Sequence, residues 1–579
     1  MNEERRNWVL FVVLAVLVIF GGQYLTTKFF PPANPPVTKV ANGKTVPVAA
    51  APVTTPAKVR DRNQVLGETQ RVKIVTPSLS GSINLKGARI DDLLLPTYKE
   101  TIDKNSAPIR LFSPSGTENA YFASFGWSGD GVQMPDANTV FTASAPELSP
   151  GKPVTLSWTN GSGQRFAIMV AVDDKFMFTV TQQIANAGTA PVRVRPFAAV
   201  ARHGAGSDVT TATNHVGPIG VFGNGADYDI DYTNLDGKEP SFFGKLFGYH
   251  AKPGENRFDT TGGWVGFGDK YWLAALIPDQ NAAVKSGFPA ASAGDYQADV
   301  ALGQVTVAPG KAISATTHLF AGAKEVATLD DYQEKLGIAH FGNAIDWGWF
   351  RVVEKPIFTY LDWLFRLVGN FGVAIILLTI TIRALIFPIA QRQFASMAAM
   401  KAIQPKMKAI QDRYKDDKPR AQQEVMALYK AEGVNPLAGC LPTFLQIPIM
   451  YSLYKVLLLS IEMRHQPFVL WIKDLSAPDP FTPLNLFGYL HFTPPHLIAI
   501  GVIPILLGVS MYFQFKLNPA PMDEAQKQVF AIMPWVLMFI MAPFAVGLQV
   551  YWITSNCITI LQQRLLYSRH PGLKTAPAK

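Results

Sequence analysis

Polar and apolar positions alternate over the first half of the chain and separate into long apolar runs beyond residue 355. Leu79, Ile83 and Leu85 alternate with Ser80, Ser82, Asn84 and Lys86, and Val154, Leu156 and Trp158 with Thr155 and Ser157. Phe176, Phe178 and Val180 repeat the pattern, and Asn186 to Gly188 marks a turn before Val192 and Val194. A period of two broken by Gly, Asn and Asp predicts half-buried antiparallel strands, and a β-sandwich over residues 60–345 is the simplest architecture.

From Pro356 the period becomes helical. Ile357, Phe358, Leu361, Leu364, Phe365 and Val368 share one face, opposite Thr359, Asp362 and Arg366. Pro356 suits a first helical turn. The amphipathic helix expected within 346–370 either lies flat in a membrane interface or packs on the sandwich. Five apolar segments follow, roughly 371–390, 437–460, 498–515, 529–544 and 547–563. A span needs about 20 residues, so the last three are short. Trp8 to Leu25, behind Arg5 and Arg6, is another apolar run; it is read as an uncleaved anchor over 1–26, because no small-residue cleavage pattern directly follows it. Residues 27–59, with Pro31, Pro32, Pro35, Pro36, Pro47, Pro52 and Pro56, read as a linker. The expected fold is an α-helical polytopic membrane protein of six membrane helices with an inserted all-β domain.

The formal net charge of +9 follows this layout. Arg392, Lys401, Lys406, Lys408, Arg413, Lys415, Lys418, Arg420 and Lys430 lie between the second and third spans, whereas the next connection holds only Arg464 and Lys473. The positive-inside rule puts residues 391–434 and both termini in the cytoplasm and the β-domain outside. Within 391–434, Met397, Met400, Ile403, Met407, Ile410 and Tyr414 form a stripe, Asp416 to Pro419 a break, and Val425, Leu428 and Tyr429 a second stripe. This predicts a two-helix hairpin. Met397, Met400 and Met407 are candidate contacts for varied apolar partners; the alternative is that the two stripes bury each other. Cys440 and Cys557 both lie in apolar segments, so no disulfide framework supports the β-domain.

Arg383 stands about twelve residues into the second span, past the bilayer centre toward the cytoplasm. A central arginine costs roughly 2.5–3.5 kcal/mol on insertion scales, so it is expected to face protein or water, unless it snorkels to the headgroups. The five later segments hold no Asp or Glu in their cores, and Lys455 is the only other ionisable residue there. Thr379 is one turn away, and Gln446, Tyr512, Gln514, Ser555 and Asn556 offer further polar lining. The expected site is a wet cavity with one positive charge.

The run Asp346-Trp347-Gly348-Trp349-Phe350, the Arg383 helix ending in Phe387 and Pro388, Leu428 to Ala431 and Asn435 to Cys440, Gln446-Ile447-Pro448, and Tyr551 with Ser555 and Asn556 resemble the YidC/Oxa/Alb family of membrane-protein insertases. The resemblance runs from the amino-terminal anchor to the tail and includes the large outer domain of Gram-negative members. It implies an inner-membrane protein with a five-helix core over 371–566, including the hairpin 391–434, around a hydrophilic groove closed on the outside. Arg383 matches the groove arginine and Thr379 a polar groove position. Tyr551 belongs to the matched run, and Trp552 stands where some relatives carry Tyr, keeping the aromatic ring without its hydroxyl. By resemblance the outer domain is a β-supersandwich, the substrates are nascent membrane proteins, and the Sec translocon and ribosome are partners. The basic tail 567–579, and Arg564 before it, fit ribosomal RNA or anionic membrane lipids equally well.

Two other readings are weighed against this one. An ion-coupled transporter usually has internal repeats and intramembrane acids, and neither is evident. A sugar-active outer enzyme would draw on His203, His215, His250, His318 or His340, yet none stands in a nucleophile or metal motif. Asp227, Asp229 and Asp231 begin like a calcium loop, but Tyr232 and Lys238 occupy the positions that need Gly and Glu. There is no Walker motif, and no cofactor, metal or covalent chemistry is expected.

Overall fold

The structure is a computed structural model that describes residues 38–41, 44–47, 59–206, 214–223, 225–236, 256–289, 294–414, 417–433, 441–487, 490, 500–517 and 524–569. The chain forms two compact units, Met1–Val59 and Arg60–Lys579. In the first, Thr38–Ala41 (β1) and Lys44–Pro47 (β2) pair as an antiparallel hairpin inside the expected linker. The apolar run Trp8 to Leu25 and residues 570–579 lie outside the described residues.

The second unit begins with two facing sheets of nine and eleven strands. In the smaller sheet, Met177–Asn186 pairs with Gln164–Val172 on one side and Ala312–Ala323 on the other. Phe178, Val180, Gln182 and Ile184 point inward while Thr179, Thr181 and Gln183 do not, as the period predicts. In the larger sheet, Val192–His203 lies between Tyr121–Asp130 and Asp295–Leu302. Gln182 is buried in this core, where an unpaired amide is costly. Its Nε2 donates across the sandwich to the Gly126 carbonyl at 2.6 Å. The alternation fails at Ser80–Asn84, where Ser82, Ile83 and Asn84 are all buried. The register shifts between Ser82 and Ile83, and such a shift re-aims side chains. Ser82 and Asn84 bond Asp92 and Asp91, carboxylates that Arg62 and Arg71 neutralise.

Gly322 shows how tightly neighbouring strands of the nine-stranded sheet pack. A Cβ there would stand 2.2 Å from the ring of buried Phe176. Gly322→Ala is expected to destabilise the β-domain by about 1–3 kcal/mol, the usual cost of overpacking, and to lower its thermal midpoint. An unchanged midpoint would mean that Phe176 has a second rotamer to occupy.

Two short helices, Arg62–Gly67 (α1) and Tyr232–Leu235 (α2), accompany the sheets. Asp231 caps α2 by accepting the Asn234 N–H at 2.7 Å, and Asp227 accepts the Asp229 N–H at 2.9 Å, so the calcium-like run is turn and cap chemistry. Val326–Lys335 (α3) leads through a 3₁₀ turn, Phe341–Ala344, to Arg351–Val368 (α4). The helix α4 starts five residues before Pro356, which therefore stands inside it and removes one rung instead of opening the first turn.

Among the described residues six further helices follow from Phe371. They are Phe371–Arg413 (α5), Lys418–Ala431 (α6), Leu441–Leu459 (α7), Val502–Lys516 (α8), Glu524–Met541 (α9) and Val546–Arg569 (α10). The helix α5 is one continuous element of 43 residues, so the expected span and the first hairpin arm merge. Among the described residues, only Phe371–Gln391 is long and apolar enough to cross a membrane; Pro448–Leu459, Val502–Lys516 and Ala531–Met541 are shorter apolar helices.

The buried face of α4, with Phe358, Leu361 and Leu364, packs on α5 and α7. Its Lys355 bonds Asp330 of α3 at 2.8 Å, and its Val352, Trp363 and Leu367 stay exposed. It thus touches both the helices and the β-domain. The α5 and α6 arms also face each other. The Tyr429 hydroxyl donates to Met407 Sδ at 3.2 Å, and Lys406 pairs with Glu432 at 2.6 Å.

Candidate functional site

The ends of the helices nearest the β-domain are closed by the connection between α7 and α8. The Asn370 side chain caps α5 by accepting the Val373 N–H at 3.1 Å and donates to the Phe468 carbonyl at 3.0 Å. Asp479 is buried and accepts the Ile503 N–H at 2.8 Å, neutralising the start of α8. Val546 and Gly547 at the start of α10 donate to the carbonyls of Ala477 and Leu475, both at 2.9 Å. Helix starts that hold spare N–H groups thus use this segment as a common acceptor.

Below this closure α5, α8 and α10 carry the polar residues inward. Arg383 is twelve residues past Phe371, about 18 Å along α5. Its Nε donates to the Ser555 Oγ of α10 at 2.9 Å, and a second guanidinium nitrogen reaches the same oxygen. Tyr551, one turn earlier on α10, is buried and interacts electrostatically with Arg383. Asn556 Nδ2 donates to Ser510 Oγ of α8 at 2.9 Å, and both residues are buried. Among the described residues no carboxylate forms an ion pair with Arg383. The arginine is partly exposed and keeps guanidinium donors beyond those that reach Ser555. A half-desolvated cation with spare donors is suited to an acidic or carbonyl group brought to it from outside the fold.

The other expected residues divide around this cluster. Thr379 is fully buried and bonds back to the Ile375 carbonyl of its own helix at 2.6 Å. Trp552 is partly buried against the core. Tyr512 is 39% exposed and lies beside Trp535 of α9, with ring centroids 6.4 Å apart, and Lys516 approaches its ring. Gln514 is half-buried. These contacts direct Tyr512 to the α8–α9 surface and not to Ser555. Met407 sits between the hairpin arms, and the side chains of Gln446, Met397 and Met400 lie outside the described residues.

Several polar residues emerge only in three dimensions. Ser510 is the only hydroxyl in the first turns of α8, a signal the sequence offered, and its partner Asn556 is 46 residues away. Gln549 is fully buried and donates to the Met541 and Phe544 carbonyls, closing the end of α9. Lys455, the other ionisable residue of the later segments, also has partners. Its Nζ donates to the Asp346 carbonyl at 2.7 Å and lies 3.5 Å from the Asp346 carboxylate. The histidines are likewise engaged: His203 with Asp295, His215 with the Pro218 carbonyl, and His318 with Thr179. His250 lies outside the described residues, and among those described no His, Cys, Asp and Glu group has metal-binding geometry.

A β-sandwich joined to apolar helices that keep an arginine inside them defines a membrane protein with a large β-domain and a polar site in its helical part. The family model described as the YidC periplasmic domain matches residues 71–360, and the 60Kd inner membrane protein model matches 363–573. The "Membrane protein insertase YidC" of Zymomonas mobilis is 47% identical over 98% of this chain and 96% of its own. That of Methylorubrum extorquens is 43% identical over 99% and 96%. A solved structure titled as an active YidC insertase with its first transmembrane domain resolved covers 95% of this chain and 98% of its own, at 17% identity and a TM-score of 0.36. The chain belongs to the YidC family of membrane-protein insertases.

Proposed function

We propose that this protein inserts nascent membrane proteins into the bacterial inner membrane through a hydrophilic groove centred on Arg383. The observation that carries the reading is the Arg383–Ser555 contact inside an apolar helical domain, with no ion-pairing carboxylate among the described residues. In this reading Trp8 to Leu25 and the five later helices make six membrane helices, with both termini and the hairpin 391–434 in the cytoplasm and the β-domain in the periplasm. The basic residues between the second and third spans support that orientation. The helices α8 and α9 are short for a full span, and local thinning of the bilayer around them shortens the path a polar tail must travel.

A substrate's polar flank enters from the cytoplasm and exchanges part of its water for the donors of Arg383 and the hydroxyl and amide groups near it. Each unsatisfied backbone group in lipid costs several kcal/mol, so a polar lining lowers the barrier without any covalent step. The apolar segment then moves sideways into lipid. Tyr512 and Gln514 serve at the rim of this path, and Gln446, Thr379, Tyr551 and Trp552 complete its walls. Met397, Met400 and Met407 guide the segment at the cytoplasmic mouth. The Sec translocon, the ribosome and anionic lipids are the partners this arrangement accommodates.

The test is reconstitution of the full chain in liposomes with a short single-span substrate carrying an acidic outward tail. Protease-protected insertion above that of empty liposomes is the expected result. Passage of a small solute with no insertion would overturn the reading in favour of transport.

A further inference from the structure

A second buried cluster lies where α4, α7 and the β-domain meet. Glu354 of α4 is 0% exposed, and neither carboxylate oxygen has a hydrogen-bond partner. Lys455 of α7 is 2% exposed, and its ammonium is the cation that acts on Glu354. The loop Asp346–Phe350 receives this ammonium. Gly348 has φ +62°, and a Cβ at that position would stand 2.9 Å from Nζ, so glycine serves both the left-handed backbone and the space. Asp346 is anchored in turn, for its other carboxylate oxygen accepts the His215 backbone N–H at 3.1 Å. A chain of contacts therefore runs from the β-domain through Asp346 to Lys455 and α7.

A fully buried carboxylate without hydrogen bonds is costly when ionised and far less so when protonated. Burial pushes the Glu354 carboxyl up from 4.5 to about 7; Lys455 opposes this and Asp346 adds to it. From α7, Tyr451 is the other titratable group within electrostatic reach. The only charged residue in the first 21 residues of α5 is Arg383, which is engaged with Ser555.

We infer that Lys455 is a positioning residue that clamps α7 to the Asp346–Phe350 loop and to α4, and that Glu354 sets the grip of the clamp by gaining or losing a proton. With Glu354 protonated, Lys455 is held from the Asp346 side alone. Once Glu354 ionises, the ammonium is attracted by two carboxylates and couples α4 to α7. The periplasmic ends of the helices are thereby fixed while the cytoplasmic side accepts substrate. That last step rests on the insertion reading; the titration itself does not.

The test is an infrared titration of the full-length protein in lipid nanodiscs, following the carbonyl stretch of protonated buried carboxyls. Burial raises both Glu354 and Glu462 to about 7, so the titration is run in the Glu462→Gln background, where a band near pH 7 is expected to persist and to vanish once Glu354→Gln is added. In Lys455→Met its midpoint should rise by about one unit, because no ammonium then favours the carboxylate. A merely structural lysine would leave that midpoint in place. Insertion should fall several-fold in Lys455→Met and recover in part in Glu354→Gln/Lys455→Met, which leaves only one carboxylate without its cation. A band that survives Glu354→Gln/Glu462→Gln, or a midpoint unmoved by Lys455→Met in the Glu462→Gln background, overturns the proposal. So does wild-type insertion by Lys455→Met at every pH. Should Lys455→Met not accumulate, Lys455→Gln provides the same midpoint comparison. Failure of the wild type to insert at all would count against the groove and leave the titration to decide the clamp.

Discussion

Arg383→Ala is expected to slow insertion of a substrate with an acidic tail by about 10- to 100-fold. A unit charge pair at about 4 Å is worth roughly 4 kcal/mol at an effective dielectric constant near 20, and water in the groove screens part of it. A residual loss of about 1.4–2.8 kcal/mol corresponds to that range. Alanine also leaves the Ser555 hydroxyl without its guanidinium partner. The defect should shrink as salt rises, because screening weakens in the wild type the attraction that the variant lacks. Arg383→Lys keeps the charge but loses the forked contact, so its rate should fall between the other two. Equal rates for wild type and alanine at low and high salt would remove electrostatics from the mechanism.

Trp264→Ala is expected to destabilise the β-domain by about 3–5 kcal/mol, the usual cost of emptying a large buried aromatic site. Trp264 is 1% exposed, its Nε1 donates to the Ala339 carbonyl at 3.1 Å, and its ring meets Phe341 edge-on at 5.6 Å. It therefore joins the sheet to the segment that leads into α4. The denaturant midpoint of the full chain, followed by near-ultraviolet circular dichroism, measures the effect. Trp264→Phe should recover about half, since the ring volume returns without the hydrogen bond. A phenylalanine variant as unstable as alanine would assign the loss to the bond and not to the cavity.

The two sheets were legible because a strand buried on one side writes its period into the sequence, as Met177–Asn186 does. Ser80–Asn84 escaped that rule because paired arginines and aspartates make its inward polar residues affordable. Arg383 was conspicuous as a single charge in an apolar run. Its bond to Ser555 was not, because the partner lies 172 residues away on another helix. The partner of Lys455 was hidden for the same reason: Asp346 precedes every one of the later membrane segments. The expectation that α4 begins near Pro356 followed a sound preference, but the residues before it have their own helix-forming face, with Glu354 buried on it. Tyr512 shares a segment with Ser510 yet points elsewhere, a distinction that requires the positions of α9 and α10.

The unbroken helix from Phe371 to Arg413 spans about 64 Å at 1.5 Å per residue. Pro388 within it has no N–H for the Ala384 carbonyl, and Pro405 has none for Lys401. A long rod bends where a rung is missing. The joint nearer the bundle lies one turn beyond Arg383, so a bend of the rod at that joint leaves the arginine in register with Ser555. The direction of the hairpin arms is thereby uncoupled from the position of the polar centre.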